Sequence, residues 1–96
     1  MDLHQLVQSQ REQILSIAQK NGARDVRIFG SVARGDSHAN SDIDFLVNLE
    51  TGRSLLDLAR LLRELQTLLG HNVDVVTEAG LRPRIRSQVL KEARPL

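Results

Sequence analysis

Gly30-Ser31-Val32-Ala33-Arg34-Gly35, followed by Ser41-Asp42-Ile43-Asp44-Phe45-Leu46-Val47, is the stretch that decides how this chain folds. Apart from its two aspartates the second run is rich in β-branched, aromatic and other apolar residues, which is strand composition. Side chains alternate sides along a strand, so Asp42 and Asp44 fall on one face and Ile43, Phe45 and Val47 on the other. Two carboxylates so placed repel each other, and a folded chain keeps them chiefly where a cation or a shared proton relieves the repulsion. Mg2+ is the natural candidate.

Upstream, Asp25-Val26-Arg27-Ile28-Phe29 alternates briefly between polar and apolar residues and stops at Gly30, so it reads as a strand feeding a turn. A Gly before a Ser at a strand-to-helix turn suits an anion: the missing side chain lets a phosphate approach the backbone, and a helix start offers unpaired N–H groups. The Ser31 hydroxyl adds a donor, and Arg34, one turn later, can reach phosphate oxygens. Taken alone, the same pair is more often an ordinary turn and cap. The spacing from Gly30 to Gly35 is that of a Walker A loop, yet Asp36-Ser37 stands where Lys-Ser/Thr is required, which excludes a P-loop NTPase.

Outward from this stretch, apolar residues recur at helical spacing over residues 2–19, and Asn21-Gly22 ends that helix. A short helix over 31–35, a loop over 36–41 and a strand from 42 to about 48 follow. Ser54 caps a helix over 55–69 closed by Gly70. Residues 72–77 form a third strand, and Pro83 opens a last helix to about 93. The order αβαβαβα implies an α/β (α+β) fold with a small mixed three-stranded sheet flanked by helices, in one domain over residues 1–96. In the 55–69 helix, leucines cover roughly half the circumference, and Leu61 and Leu68 are open to two readings, covered by a neighbouring helix or by another chain. Arg60 and Glu64 read as a solvated i,i+4 pair, and Arg82, Arg84 and Arg86 as a solvated basic face.

Composition narrows the function classes. The 96 residues carry a net charge of +1 and no Cys, so thiol chemistry and Cys-based metal sites are excluded, and a cytoplasmic setting is expected. Near-neutral charge and only two aromatics, Phe29 and Phe45, argue against nucleic acid as the main partner. Neither a signal peptide nor a membrane span is expected. His4, His38 and His71 have no ligand spacing.

Asp74 repeats the anomaly of an aspartate inside a strand, between Val73 and Val75. If its strand lies beside that of Asp44, three carboxylates meet in a cluster suited to two hard cations. Such a cluster supports in-line phosphoryl displacement, with Asp74 best placed to take the acceptor's proton.

Together, Gly30-Ser31-Val32-Ala33-Arg34-Gly35, Ser41-Asp42-Ile43-Asp44 and Asp74 resemble the signature of the DNA polymerase β nucleotidyltransferase superfamily, and nearly the whole chain is similar to its minimal nucleotidyltransferase (MNT) antitoxins. The resemblance implies that Gly30 and Ser31 bind the nucleotide, and that Asp42, Asp44 and Asp74 are catalytic and hold two Mg2+ ions with ATP as substrate; Arg34 and Ser41 stand beside them as further candidates for nucleotide binding. It implies a partner too, a HEPN-type ribonuclease toxin silenced by transfer of AMP to a tyrosine. Two other readings stand beside this: an antitoxin that neutralises its toxin by binding alone, and a nucleotidyltransferase acting on a small molecule, for which 96 residues leave little room.

Overall fold

The computed structural model describes residues 2–96. Its elements run α1 (Leu3–Ser9), α2 (Arg11–Lys20), β1 (Ala23–Phe29), α3 (Gly30–Arg34), β2 (Ile43–Leu49), α4 (Leu55–Leu69), β3 (Val73–Thr77), α5 (Pro83–Glu92) and β4 (Arg94–Pro95). The sheet order is β3-β2-β1-β4, with β2 and β3 parallel and the other pairings antiparallel. It is the expected mixed sheet flanked by helices, with one strand more than the three expected.

The core lies on the face of β2 that carries Ile43, Phe45 and Val47, each at most 1% exposed. Ile28, Val73 and Val75 extend this face across the neighbouring strands. Onto it pack Ile14 and Ala18 of α2 and Leu61, Leu65 and Leu69 of α4, while Leu3, Val7 and Val32 complete the cluster. Each large side chain buried here contributes about 1.5–3 kcal/mol. Val32, fully buried, pins α3 to the core and fixes where Gly30 and Arg34 emerge.

Three local features depart from the sequence reading. The first helix is two: the chain breaks at Gln10, which has φ −107° and ψ 16°. Residues 8–13 are all polar, so no packing holds the helix straight there, and the break lets α1 lie on α3 while α2 lies on β1 and α4. β1 begins at Ala23, two residues before the expected start, with a register shift between Arg24 and Arg27 around Asp25, whose φ is 53°. The Asp25 carboxylate accepts from Asn48 Nδ2 at 2.9 Å across the strands, which holds this bulge.

β4 is the added strand. Arg94 and Pro95 pair with Ile28 and Arg27 on the outer edge of β1, and the Leu96 N–H donates to Val26 O at 3.1 Å. Proline is tolerated at such an edge. In α4, Ser54 forms a capping box with Asp57, and Gly70 closes the helix with φ 66°.

The apolar surplus on α4 also falls differently. Leu61 is 0% exposed and Leu68 packs against the core, so neighbouring helices cover both, whereas Leu55 (80%) and Leu56 (74%) stand exposed at the N-terminal end. Nor do Arg60 and Glu64 pair. Glu64 binds Lys20 and accepts from Asn21 Nδ2 at 2.8 Å, and Arg60 turns to Asp57 at 3.3 Å. Asn21 is the buried polar residue of the fold, and its Nδ2 is satisfied by Glu64 and by Ile17 O. Lys20 and Asn21 hold the Glu64 carboxyl below its usual range.

Candidate active site

The strand register decides which side chains meet. Phe29 pairs with Asp44 across β1 and β2, and Asp44 pairs with Asp74 across β2 and β3, so the three form one row on the face opposite the core. Directly paired residues of adjacent strands point to the same side. Asp44 and Asp74 are therefore neighbours, as the expected placement of β3 beside β2 requires. Asp42, expected inside the strand, instead stands exposed just before it, because the ladder begins only at Ile43, whose N–H donates to Asn72 O at 3.0 Å.

The Asp44 carboxyl is pushed up to about 6, first by burial and then by the charges of Asp74 and Asp42. The repulsion inferred from spacing is thus present in the fold. Arg34 acts the other way, and Glu92 adds to the upward push.

Gly30 connects the turn to these acids. Its φ is +74°, a conformation that favours glycine, and a Cβ there would collide with Asp44 Oδ2 and displace that carboxylate. Ser31 follows half-buried in the first turn of α3, and Gly35 closes that helix in the left-handed region with φ 80°.

Sequence reasoning missed Glu92. From the last turn of α5, its Oε1 accepts from the Gly30 N–H at 2.7 Å and from Arg34 Nη1 at 2.9 Å. Arg34 Nε also donates to Asp36 at 3.1 Å. Only the acidic residue near the end of α5 hinted at this, because a carboxylate opposes the partial negative charge of a helix C-terminus and needs donors elsewhere.

Arg86 is likewise no solvated face. It donates to Glu78 O at 2.6 Å and lies 3.4 Å from the Glu78 carboxylate, which also meets Arg27 at 3.1 Å, tying α5 to the end of β3 and to β1.

Ser41 is employed differently from the rest. Its hydroxyl accepts from the His38 N–H and its own N–H donates to His38 O, both at 2.9 Å, closing the loop before β2. It lines a cleft with Asn40, Gln66, His71 and Asn72, apart from Gly30 and Arg34.

For a cation, the donors are hard carboxylate oxygens of the kind Mg2+ takes. Among the described residues, no three acidic or histidine side chains are already gathered at ion-holding distance. The fit therefore lies in donor chemistry, register and the repulsion a cation would relieve at Asp44. No helix among the described residues is long and apolar enough to cross a membrane.

Comparison with known proteins agrees with this architecture. The family described as "Nucleotidyltransferase domain" matches residues 11–96. A Methanocaldococcus jannaschii protein named "Putative protein adenylyltransferase MJ0435" is 43% identical over 83 residues, covering 86% of this chain and 89% of the relative. "Protein adenylyltransferase MntA" of Thermococcus cleftensis is 38% identical over 76 residues, 79% of this chain and 77% of its own.

A solved structure described as a "putative minimal nucleotidyltransferase" superposes with a TM-score of 0.89 at 53% identity, covering 100% of this chain and 97% of that one. Another, a toxin–antitoxin with AMP-PNP, shares the fold with a TM-score of 0.75 at 24% identity over 88% and 69% of the two chains. The chain belongs to the nucleotidyltransferase domain family, among relatives named protein adenylyltransferases.

Proposed function

We propose that residues 1–96 form one minimal nucleotidyltransferase domain that acts as the antitoxin of a toxin–antitoxin pair, transferring AMP from ATP to a tyrosine hydroxyl of a HEPN-type ribonuclease toxin with Mg2+. The observation that carries this reading is the row Phe29–Asp44–Asp74, with the raised Asp44 carboxyl pressed against Gly30. It puts a pair of acids that a cation would satisfy beside the glycine turn whose N–H can bind an anion. The relatives' name and the nucleotide-bound toxin–antitoxin neighbour support the same direction.

In this reading the Gly30 N–H, the Ser31 hydroxyl and Arg34 grip the triphosphate, while Asp42, Asp44 and Asp74 would hold two Mg2+ ions. Bound there, Mg2+ would neutralise triphosphate charge and ease deprotonation of the acceptor hydroxyl. Asp74, exposed beside the half-buried Asp44, is the carboxylate an incoming hydroxyl reaches and the one that takes its proton. The acceptor oxygen bonds to the α-phosphorus, the bond to the bridging oxygen breaks, and pyrophosphate leaves with that electron pair. Ser41 keeps the loop before Asp42 in place for this geometry.

The test is incubation of the chain with its toxin partner, Mg2+ and ATP labelled on the α-phosphate. Label on a toxin tyrosine is the expected result. Label on neither protein, with the toxin still neutralised, would replace the transfer by a docking role.

A further inference from the structure

The chain supplies its own occupant for the donors that the proposed reading gives to the triphosphate. Glu92 Oε1 accepts at once from the Gly30 N–H (2.7 Å) and from Arg34 Nη1 (2.9 Å). It does so from the C-terminal turn of α5, where a carboxylate is disfavoured by the helix dipole. Its side chain is only 15% exposed, so its charge rests largely on these two donors. It also sits close enough to Asp44 to push that carboxyl upward, which places a negative charge beside the acids a cation must satisfy.

We infer that Glu92 is an autoinhibitory stand-in for phosphate, holding Gly30 and Arg34 until a nucleotide displaces it. A phosphate oxygen and Oε1 cannot both take the Gly30 N–H in the same geometry, so nucleotide binding requires Glu92 to leave. Departure has a consequence one residue on. Ala93 leads directly into Arg94 and Pro95, which pair with β1, and Leu96, which packs against the core, so freeing the end of α5 loosens the β4 edge. Nucleotide occupancy is thereby coupled to the order of the C-terminal strand.

This inference rests on the proposed nucleotide site, and the experiment separates the two. ATP affinity with Mg2+ is measured by calorimetry for the unaltered chain and for Glu92→Gln and Glu92→Ala, alongside metal-free melting and amide exchange at Arg94 and Leu96. Loss of a charged competitor should tighten ATP binding about tenfold in both variants. In the unaltered chain, ATP should speed exchange at Arg94 and at Leu96, whose N–H donates to Val26 O.

If the unaltered chain binds ATP and both variants bind equally or more weakly, with a lower melting temperature, Glu92 is a tie between α5 and α3 and the inference is overturned. If neither the unaltered chain nor the variants bind ATP, the nucleotide site itself is wrong and the inference falls with it.

Discussion

Asp44 is held by two demands that oppose each other: its position half-buried beside Asp74 raises its pKa, and metal chemistry asks it to be ionised. An acid raised from 3.8 to about 6 binds its proton more tightly in the folded chain than in the unfolded one. Its contribution to stability is therefore fully present below about pH 4 and is lost as pH rises through about 6. After discounting for its partial exposure, Asp44→Asn should stabilise the metal-free chain on the order of 1 kcal/mol at pH 7.5. That gain should vanish near pH 4, as thermal melts at the two pH values will show. The same substitution should lower AMP transfer by about 100-fold or more, read as labelled product over time.

Gly30→Ala combines a left-handed backbone with a collision against Asp44, and should cost about 1–3 kcal/mol in denaturant titration. Gly30 and Asp44 stood out in the sequence because one punctuates a strand end and the other is a residue type that strands disfavour, whereas Asp42, expected inside the strand, falls just before it. Glu92 broke no such rule strongly. It meets Gly30 from 62 positions away, and only the fold shows that its carboxylate has donors there.

Among the elements, α4 was readable to the residue because its ends carry chemistry. Ser54 and Asp57 cap one end reciprocally and Gly70 takes the left-handed turn at the other. Ser54→Ala should cost about 1 kcal/mol, measured by urea unfolding. Leu65→Ala, from the buried stripe, should cost about 2–5 kcal/mol by the same measurement. The break at Gln10 and the strand β4 were not readable. Helical periodicity persists across the first, with Val7 and Ile14 both buried, so the pattern alone cannot show that the two pieces serve different surfaces. Two residues including a proline carry no strand signal, and only the pairing with Arg27 and Ile28 makes β4 a strand. Charge pairing was also misjudged where tertiary partners intervened: Glu64 prefers Lys20 and Asn21 to the arginine one turn away.

Over the whole molecule, helices α1, α2 and α4 close the core on one face of the sheet, while the other face carries Phe29, Asp44 and Asp74 with α5 tied along it through Glu78 and Glu92. This row faces outward, and the proposed function has a second protein bring its acceptor to it. The order of elements and the mixed sheet followed from the sequence because each strand and helix has its own composition and punctuation. The meeting of Asp44 with Asp74 followed only conditionally, since nothing in residues 72–77 states which strand they will join.

The proposed function depends on a hard cation held by Asp42, Asp44 and Asp74 next to the Gly30 turn. Titrating Mn2+ into the isotope-labelled chain with AMP-PNP present tests it directly, by recording which amide signals the paramagnetic ion broadens. Broadening centred on residues 42–44, 74 and 30–31, and lost in Asp44→Asn, is the expected result. Broadening centred elsewhere, or unchanged by that substitution, would contradict it.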